Sequence, residues 1–307
     1  MWEVIIAGAA AVKVPGLFDA AVKATGERLL GPVMDSWAQP IKDRTERRSR
    51  IASAITDLAV KDIDANASLY KAEVDALLQQ AGMRTERVST TFGQALSHIA
   101  DVEPETAGAA PEPPSEDWLN RWSRYVEDAS SEDLQDAFAR ILAGEITRKG
   151  SFSVATLRLV SELSQDVASE FQTFWSNVIE DYAIAYPEYN RGEGWQRLLA
   201  LREVGLVSAA NAAIHRPQPL GPLWGFGIDT QLLVEVDPAI HSEIPIINLT
   251  RLGRELGSIL PPPPQEANLR RFALESPNKI GWKRASIVHP QPDGTAGLEV
   301  LWTAPNS

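Results

Sequence analysis

Apolar residues recur at helical spacing through the first third of this chain. Ile51, Ile55, Leu58, Ile63, Tyr70, Val74 and Leu77 follow one another at three, four, five or seven positions. That spacing lays a single apolar stripe along a long amphipathic helix. Gly82 is expected to interrupt it, and Val88, Phe92, Leu96 and Ile99 continue the pattern in a second helix. Residues 1–102 therefore predict an N-terminal helical region folded as a hairpin. Its first 40 residues are broken into short pieces by Pro15-Gly16, Gly31-Pro32 and Pro40. The pattern then stops. Residues 103–117, EPETAGAAPEPPSED, offer almost nothing to bury and read as a linker.

Helical spacing returns in residues 118–190, which predict a helical bundle. Trp118, Trp122, Tyr125 and Val126 lie on one face, and Leu134, Phe138, Ile141 and Leu142 on another. Ser130 with Asp133 three positions on makes a capping-box pattern between them. Lys149-Gly150 ends that helix, after which Ser153 and Ser164 each cap a further one, the last carrying Val167, Phe171, Phe174 and Val178.

The period changes in residues 191–260. A short helix around Trp195–Leu201 is followed by Gly205-Leu206-Val207 and a Pro/Gly-rich loop from His215 to Gly227. Two alternating runs, QLLVEV from Gln231 and EIPIIN from Glu243, read as a two-stranded wing, and Thr250 caps a closing helix. Helix, wing and helix together predict a winged-helix-like module. Pro261–Pro264 is a stiff spacer. Residues 265–307 end in a β-hairpin, Ala285–His289 against Leu298–Trp302, around Asp293-Gly294. The fold class expected is mainly α with a smaller α+β part.

Composition narrows what such a protein does. The 307 residues are 44% hydrophobic and 23% charged, with 29 Lys plus Arg against 41 Asp plus Glu and a net charge of −12. Acidity of this size argues against coating nucleic acid, whose affinity comes from neutralising phosphates. The charge is unevenly spread. Residues 1–117 hold 12 basic and 18 acidic side chains, residues 118–190 hold 6 and 12, and residues 191–307 hold 11 and 11. Contact with nucleic acid is thus expected only through 191–307. The chain has no cysteine, which removes disulfides, Cys-ligated zinc and thiol catalysis. The apolar run Val4–Val12 is preceded by an acid and ends at Lys13, so it reads neither as a secretory signal nor as a membrane span. A cytoplasmic protein without a transmembrane segment is the expectation.

Motifs for chemistry are sparse. The sequence holds no phosphate-binding loop, no dinucleotide fingerprint and no Gly-x-Ser-x-Gly elbow. Gly192-Glu193-Gly194 reads as a loop before a helix. His98, His215, His241 and His289 are scattered, and only a composite site with Asp229 or Asp237 would gather them. Among the acids, Glu132-Asp133 suits the positive end of a helix, while Glu127-Asp128 and Glu180-Asp181 are adjacent pairs. Glu145 stands on an apolar helix face and predicts an ion pair with Arg140, Arg148 or Lys149. No cofactor and no metal is expected. Two places could meet a partner. One is the basic cluster KDRTERRSR, with Lys42, Arg44, Arg47, Arg48 and Arg50 as candidate partner or anion contacts. The other is the aromatic loop PLWGFG, with Trp224 and Phe226.

The run Trp118-Leu119…Asp133-LQDAFARILAGE-Ile146, with Gly150-Ser151-Phe152-Ser153 and Thr156-Leu157, resembles an uncharacterised bacterial family of unknown function. The likeness extends to Leu198-Leu199, Gly205-Leu206 and Leu249-Thr250…Gly253…Glu255-Leu256, and spans roughly residues 45–305. The central helical segment is also similar to one in alpha-type proteins linked to abortive infection against phage. The resemblance implies a cytosolic bacterial protein without an assigned reaction, and carries no catalytic residues. The function expected is a non-enzymatic interaction or regulatory protein, in anti-phage defence, acting through a protein partner or a homo-oligomer. The alternatives are a DNA-binding regulator using the winged-helix-like module and an enzyme with a composite site.

Overall fold

A computed structural model describes residues 67–100, 114–208, 212–215, 223–228, 230–237, 239–240, 243–290 and 296–305. The chain divides into two compact units between Glu162 and Leu163.

The described part of the first unit is all helical: α1 (Ala67–Ala100), α2 (Glu116–Asp128), α3 (Glu132–Thr147) and α4 (Val154–Glu162). Val88, Phe92, Ala95 and Leu96 recur at one-turn and two-turn spacing on α1 and are buried. They meet Trp118, Trp122 and Val126 of α2 and Phe138, Ile141 and Leu142 of α3 in the buried set of this unit. Trp122 is fully buried and its indole N–H donates to the Phe138 carbonyl at 3.0 Å, so the ring is buried with its polar atom satisfied. The expected break at Gly82 does not occur, because α1 runs through it unbroken. Gly82 lies in open space, where a glycine costs a helix only about 1 kcal/mol. The α3 cap is Ser131, whose hydroxyl accepts the Leu134 N–H, one position beyond the serine expected. Ser115 does the same for α2.

The second unit opens with α5 (Gln165–Trp175), capped by Ser164. It continues through β1 (Val178–Ile179), β2 (Tyr182–Ile184), a 3-10 turn at Pro187–Asn190 and α6 (Gly192–Glu203). Then come β3 (Ala212–His215), β4 (Leu223–Phe226), β5 (Gln231–Val236) and β6 (Glu243–Asn248). After these follow α7 (Arg251–Gly257), α8 (Gln265–Glu275), β7 (Trp282–Pro290) and β8 (Ala296–Thr303). The strands form two antiparallel sheets ordered β1-β2-β6-β3 and β4-β5-β7-β8. One core gathers Ile184, Ile244 and Ile246 of the first sheet, Leu232, Val234 and Ile287 of the second, and Leu269 and Phe272 of α8. Phe272 is its hub, meeting Phe226 and Trp282 edge-on at 5.0 and 5.5 Å.

Three sequence expectations change here. Val178 does not extend the α5 helix but starts β1, because the helix closes at Trp175. The runs read as a wing, β5 and β6, do not pair with each other: β6 lies between β2 and β3, and β5 between β4 and β7. Alternation shows that a strand has one buried face and is silent on which strand lies beside it. The segment read as one loop from His215 to Gly227 contains the end of β3 and all of β4. The C-terminal hairpin is present, with Ala285 opposite Trp302 and Val288 opposite Leu298. The architecture is mixed, helical with two small sheets, and no described helix is long and apolar enough to cross a membrane.

Candidate functional site

The distinctive central motif is a mechanical clamp. Glu145 projects from α3 with 3% exposure, and its two carboxylate oxygens accept the Gly150 N–H at 2.8 Å and the Phe152 N–H at 2.9 Å. The expectation of an Arg or Lys partner is corrected: the side chain holds the loop after α3 by its backbone. Trp118 completes the grip from α2, its indole N–H donating to the Phe152 carbonyl at 2.8 Å. The Phe152 ring lies where a Cβ on Gly144 would stand, 2.5 Å from it, which accounts for the glycine. Gly150 turns the loop at φ 85°, and Ser153 caps α4 by accepting the Thr156 N–H. A buried amide at Phe152 and a part-buried one at Gly150, both satisfied by one carboxylate, explain why an acid sits on an apolar face.

A second polar cluster ties α1 to α3. His98 Nε2 lies 2.8 Å from Asp136 Oδ1, while Arg140 Nε donates to Asp136 Oδ2 at 2.8 Å. Burial pushes the Asp136 carboxyl up, but the bonds from His98 and Arg140 outweigh it and hold it below its ordinary range. Further carboxylates are engaged in the second unit. Glu180 sits at φ 58° in the β1–β2 turn and accepts the Gly227 N–H at 2.8 Å, and Asp181 lies 3.8 Å from Arg254.

At the C-terminal hairpin the chemistry faces solvent. Arg270 on α8 grips Glu299 on β8 with two N–H donors at 2.9 and 2.6 Å and reaches Glu266 through Nε. His289 on β7 stands 3.2 Å from the same carboxylate. These partners, Arg270 foremost, pull Glu299 down to about 2. Glu299 lies opposite the buried Ile287, and so shares the face covered by α8. Leu298 and Val300 point the other way and are 54% and 49% exposed. β8 ends its sheet, and among the described residues no strand pairs with its outer side. The other sheet edges are short: two residues in β1 and four each in β3 and β4, against eight in β8. This exposed edge is the candidate site.

The residues singled out in the sequence lie elsewhere. Lys42, Arg44, Arg47, Arg48 and Arg50 fall outside the described residues. Trp224 and Phe226, expected on a loop, stand on β4 with 7% and 3% exposure, their rings in the core of the second unit. They alternate with exposed Leu223 and small Gly225, so the loop composition concealed a period of two. Of the proposed composite site, His241 and Asp229 are outside the described residues, and Asp237 is 3.7 Å from Lys283. Among the described residues no group of three His, Asp or Glu is placed to hold a metal ion. The apolar pair Leu298 and Val300 was visible as hairpin alternation, yet alternation does not distinguish an edge strand from a central one.

Residues 77–181 match a family described as "Protein of unknown function (DUF2806)". The matched stretch contains the whole clamp, from Trp118 to Ser153, and agrees with the resemblance carried by the central motif. No curated protein and no solved structure matches the chain.

Proposed function

We propose that this chain is a bacterial interaction protein that works through contact with a second copy or a protein partner, in anti-phage defence. The observation that carries the reading is the contrast at β8. Eight residues of edge strand stand open with apolar Leu298 and Val300 outward, while the acids offered by the sequence are bound into structural contacts. A long open edge is a template for another strand, so such a surface suits recognition by a polypeptide. The setting in phage defence rests on the similarity of the central helical segment to proteins linked to abortive infection. The test joins light scattering over a wide concentration range with affinity capture of the full chain from phage-infected cells. A concentration-dependent mass or a specific captured protein is the expected result. A monomer at every concentration that captures nothing overturns the reading.

A DNA-binding reading has one observation in its favour. Helix α6 is followed by β3, which pairs with β6, and α7 closes the segment, so a helix is followed by a paired strand set within 191–260. The exposed face of α6 speaks against it, since Arg197 is held by Glu193 and lies 3.5 Å from Glu170. Absence of DNA binding at low salt, where phosphate contacts are strongest, dismisses this alternative.

A further inference from the structure

We infer that the four consecutive prolines Pro261–Pro264 halt the ribosome during synthesis of this chain, and that the halt separates the folding of its two compact units. The folded protein makes little use of the proline rings. Pro261, Pro262 and Pro264 are exposed. The bonds the run provides come from carbonyls that any residue has: Pro261 accepts the Trp175 indole N–H at 2.9 Å, and Pro264 accepts the Asn268 N–H at 3.0 Å. Pro264 stands at the cap of α8 and offers that helix no side-chain acceptor. Prolines spaced apart would stiffen the connection between α7 and α8 as well. Their adjacency is what the fold leaves unexplained, and adjacency is what peptide-bond synthesis registers.

Each Pro–Pro bond forms when the nitrogen of an incoming prolyl-tRNA attacks the ester carbon of the peptidyl-tRNA. A C–N bond forms, the ester C–O bond breaks, and the departing tRNA oxygen takes the electron pair and the proton that the nitrogen gives up. Proline slows this from both sides. The attacking nitrogen is a ring secondary amine, crowded at the reacting atom. The ester is carried on a chain whose last residues have φ locked at about −65° and whose preceding residue is held extended. Transfer depends on alignment, so an ester that cannot turn into line reacts slowly. The difficulty is greatest when Pro263 and Pro264 are added, because the chain then already ends in two prolines.

The place of the run in the fold gives the halt its consequence. The exit tunnel shelters about 30 residues, the near-extended chain that spans about 100 Å. At the halt these are most of β5 and all of β6 and α7. Strand β6 joins β2 to β3, and β5 joins β4 to β7, so neither sheet can assemble. Helix α8, which brings Leu269 and Phe272 to the core, is not yet made. Helices α1–α4 have all left the tunnel, and they belong to the unit that ends at Glu162. A halt at this point gives the helical unit time to fold while the strands of the second cannot yet close on their core.

Translation of the full-length message in a reconstituted system tests both parts. Primer extension on the ribosomes is expected to map a stop with Pro262 or Pro263 as the last residue added. Pro262→Ala leaves no three prolines in a row and is expected to weaken that stop about tenfold or more. Synonymous recoding of the four prolines is expected to leave it in place, and adding the elongation factor that aids Pro–Pro synthesis to shorten it. A message with no stop at the run, or a stop that survives Pro262→Ala or vanishes on synonymous recoding, overturns the halt. On halted ribosomes, a brief protease pulse is expected to leave Trp118–Glu162 intact while cutting between Val178 and Phe226. Equal degradation of the two stretches overturns the separation of folding and leaves the halt standing. The purified Pro262→Ala protein is expected to keep the denaturation midpoint of the parent chain. A lower midpoint together with an unchanged stop makes the run a structural element and removes the inference.

Discussion

Glu145 and Glu299 are each held by two or more donors, yet they do opposite things for the protein. Glu145 is 3% exposed and accepts two backbone amides, the buried N–H of Phe152 and the part-buried N–H of Gly150. Glu299 keeps 47% of its side chain in solvent, and its partners Arg270 and His289 are themselves partly exposed. The first is part of how the helical unit exists as a fold, because removing it strands the buried Phe152 N–H. The second keeps a surface orderly, since it folds a carboxylate back over α8 and leaves the apolar side of β8 open. A charge on an apolar pattern therefore carries no single meaning. Its role follows from which donors the tertiary structure delivers and how much water remains.

The contrast can be broken at the helical unit first. Trp122→Ala removes a fully buried ring and its bond to the Phe138 carbonyl, and should cost about 3–5 kcal/mol. Amide hydrogen exchange is expected to show the loss in α2 and α3, with β5 and β7 protected as before. Equal loss in both units would show that their stabilities are not separable. Glu145→Ala comes next, at about 1–3 kcal/mol, because the buried Phe152 N–H loses its acceptor while the exposed Gly150 can turn to water. Its signature in denaturant melts is a lower midpoint accompanied by fast exchange at Phe152. Unchanged exchange there would remove the clamp.

The smallest effect belongs to the exposed acid. Its folded-state pKa lies below its ordinary value, so its contribution is complete above about 4.5 and fades as pH falls toward 2. Asp136, also held low, loses its contribution in the same acid direction, below its ordinary 3.8. Side-chain NMR titration of Arg270→Leu should return the Glu299 carboxyl toward its ordinary range while Asp136 titrates as before. The accompanying change in stability at neutral pH should be slight, as for surface ion pairs generally. A large loss would place Glu299 with Glu145 as a structural group.

Much of the helical structure in both units was legible in the chain. The Val88, Phe92 and Leu96 face, the Trp118 and Trp122 anchors and the Ser153, Ser164 and Thr250 caps follow from local rules, because a helix satisfies its own backbone within a few residues. The candidate site was less legible. Leu298 and Val300 belonged to a recognisable hairpin, but their exposure depends on β8 being last in its sheet and on α8 covering the other face.

What the sequence determined alone was the helical spacing, the terminal hairpin, the neutral charge of the final 117 residues and the absence of thiol chemistry. The tertiary structure decided the rest: which strands neighbour one another, that Trp224 and Phe226 are core, that Glu145 serves backbone amides and that β8 is an edge. The division has a physical cause. Periodicity and capping are set by contacts within about four positions, whereas sheet order and burial are set by residues tens of positions apart, which alternation alone leaves unnamed.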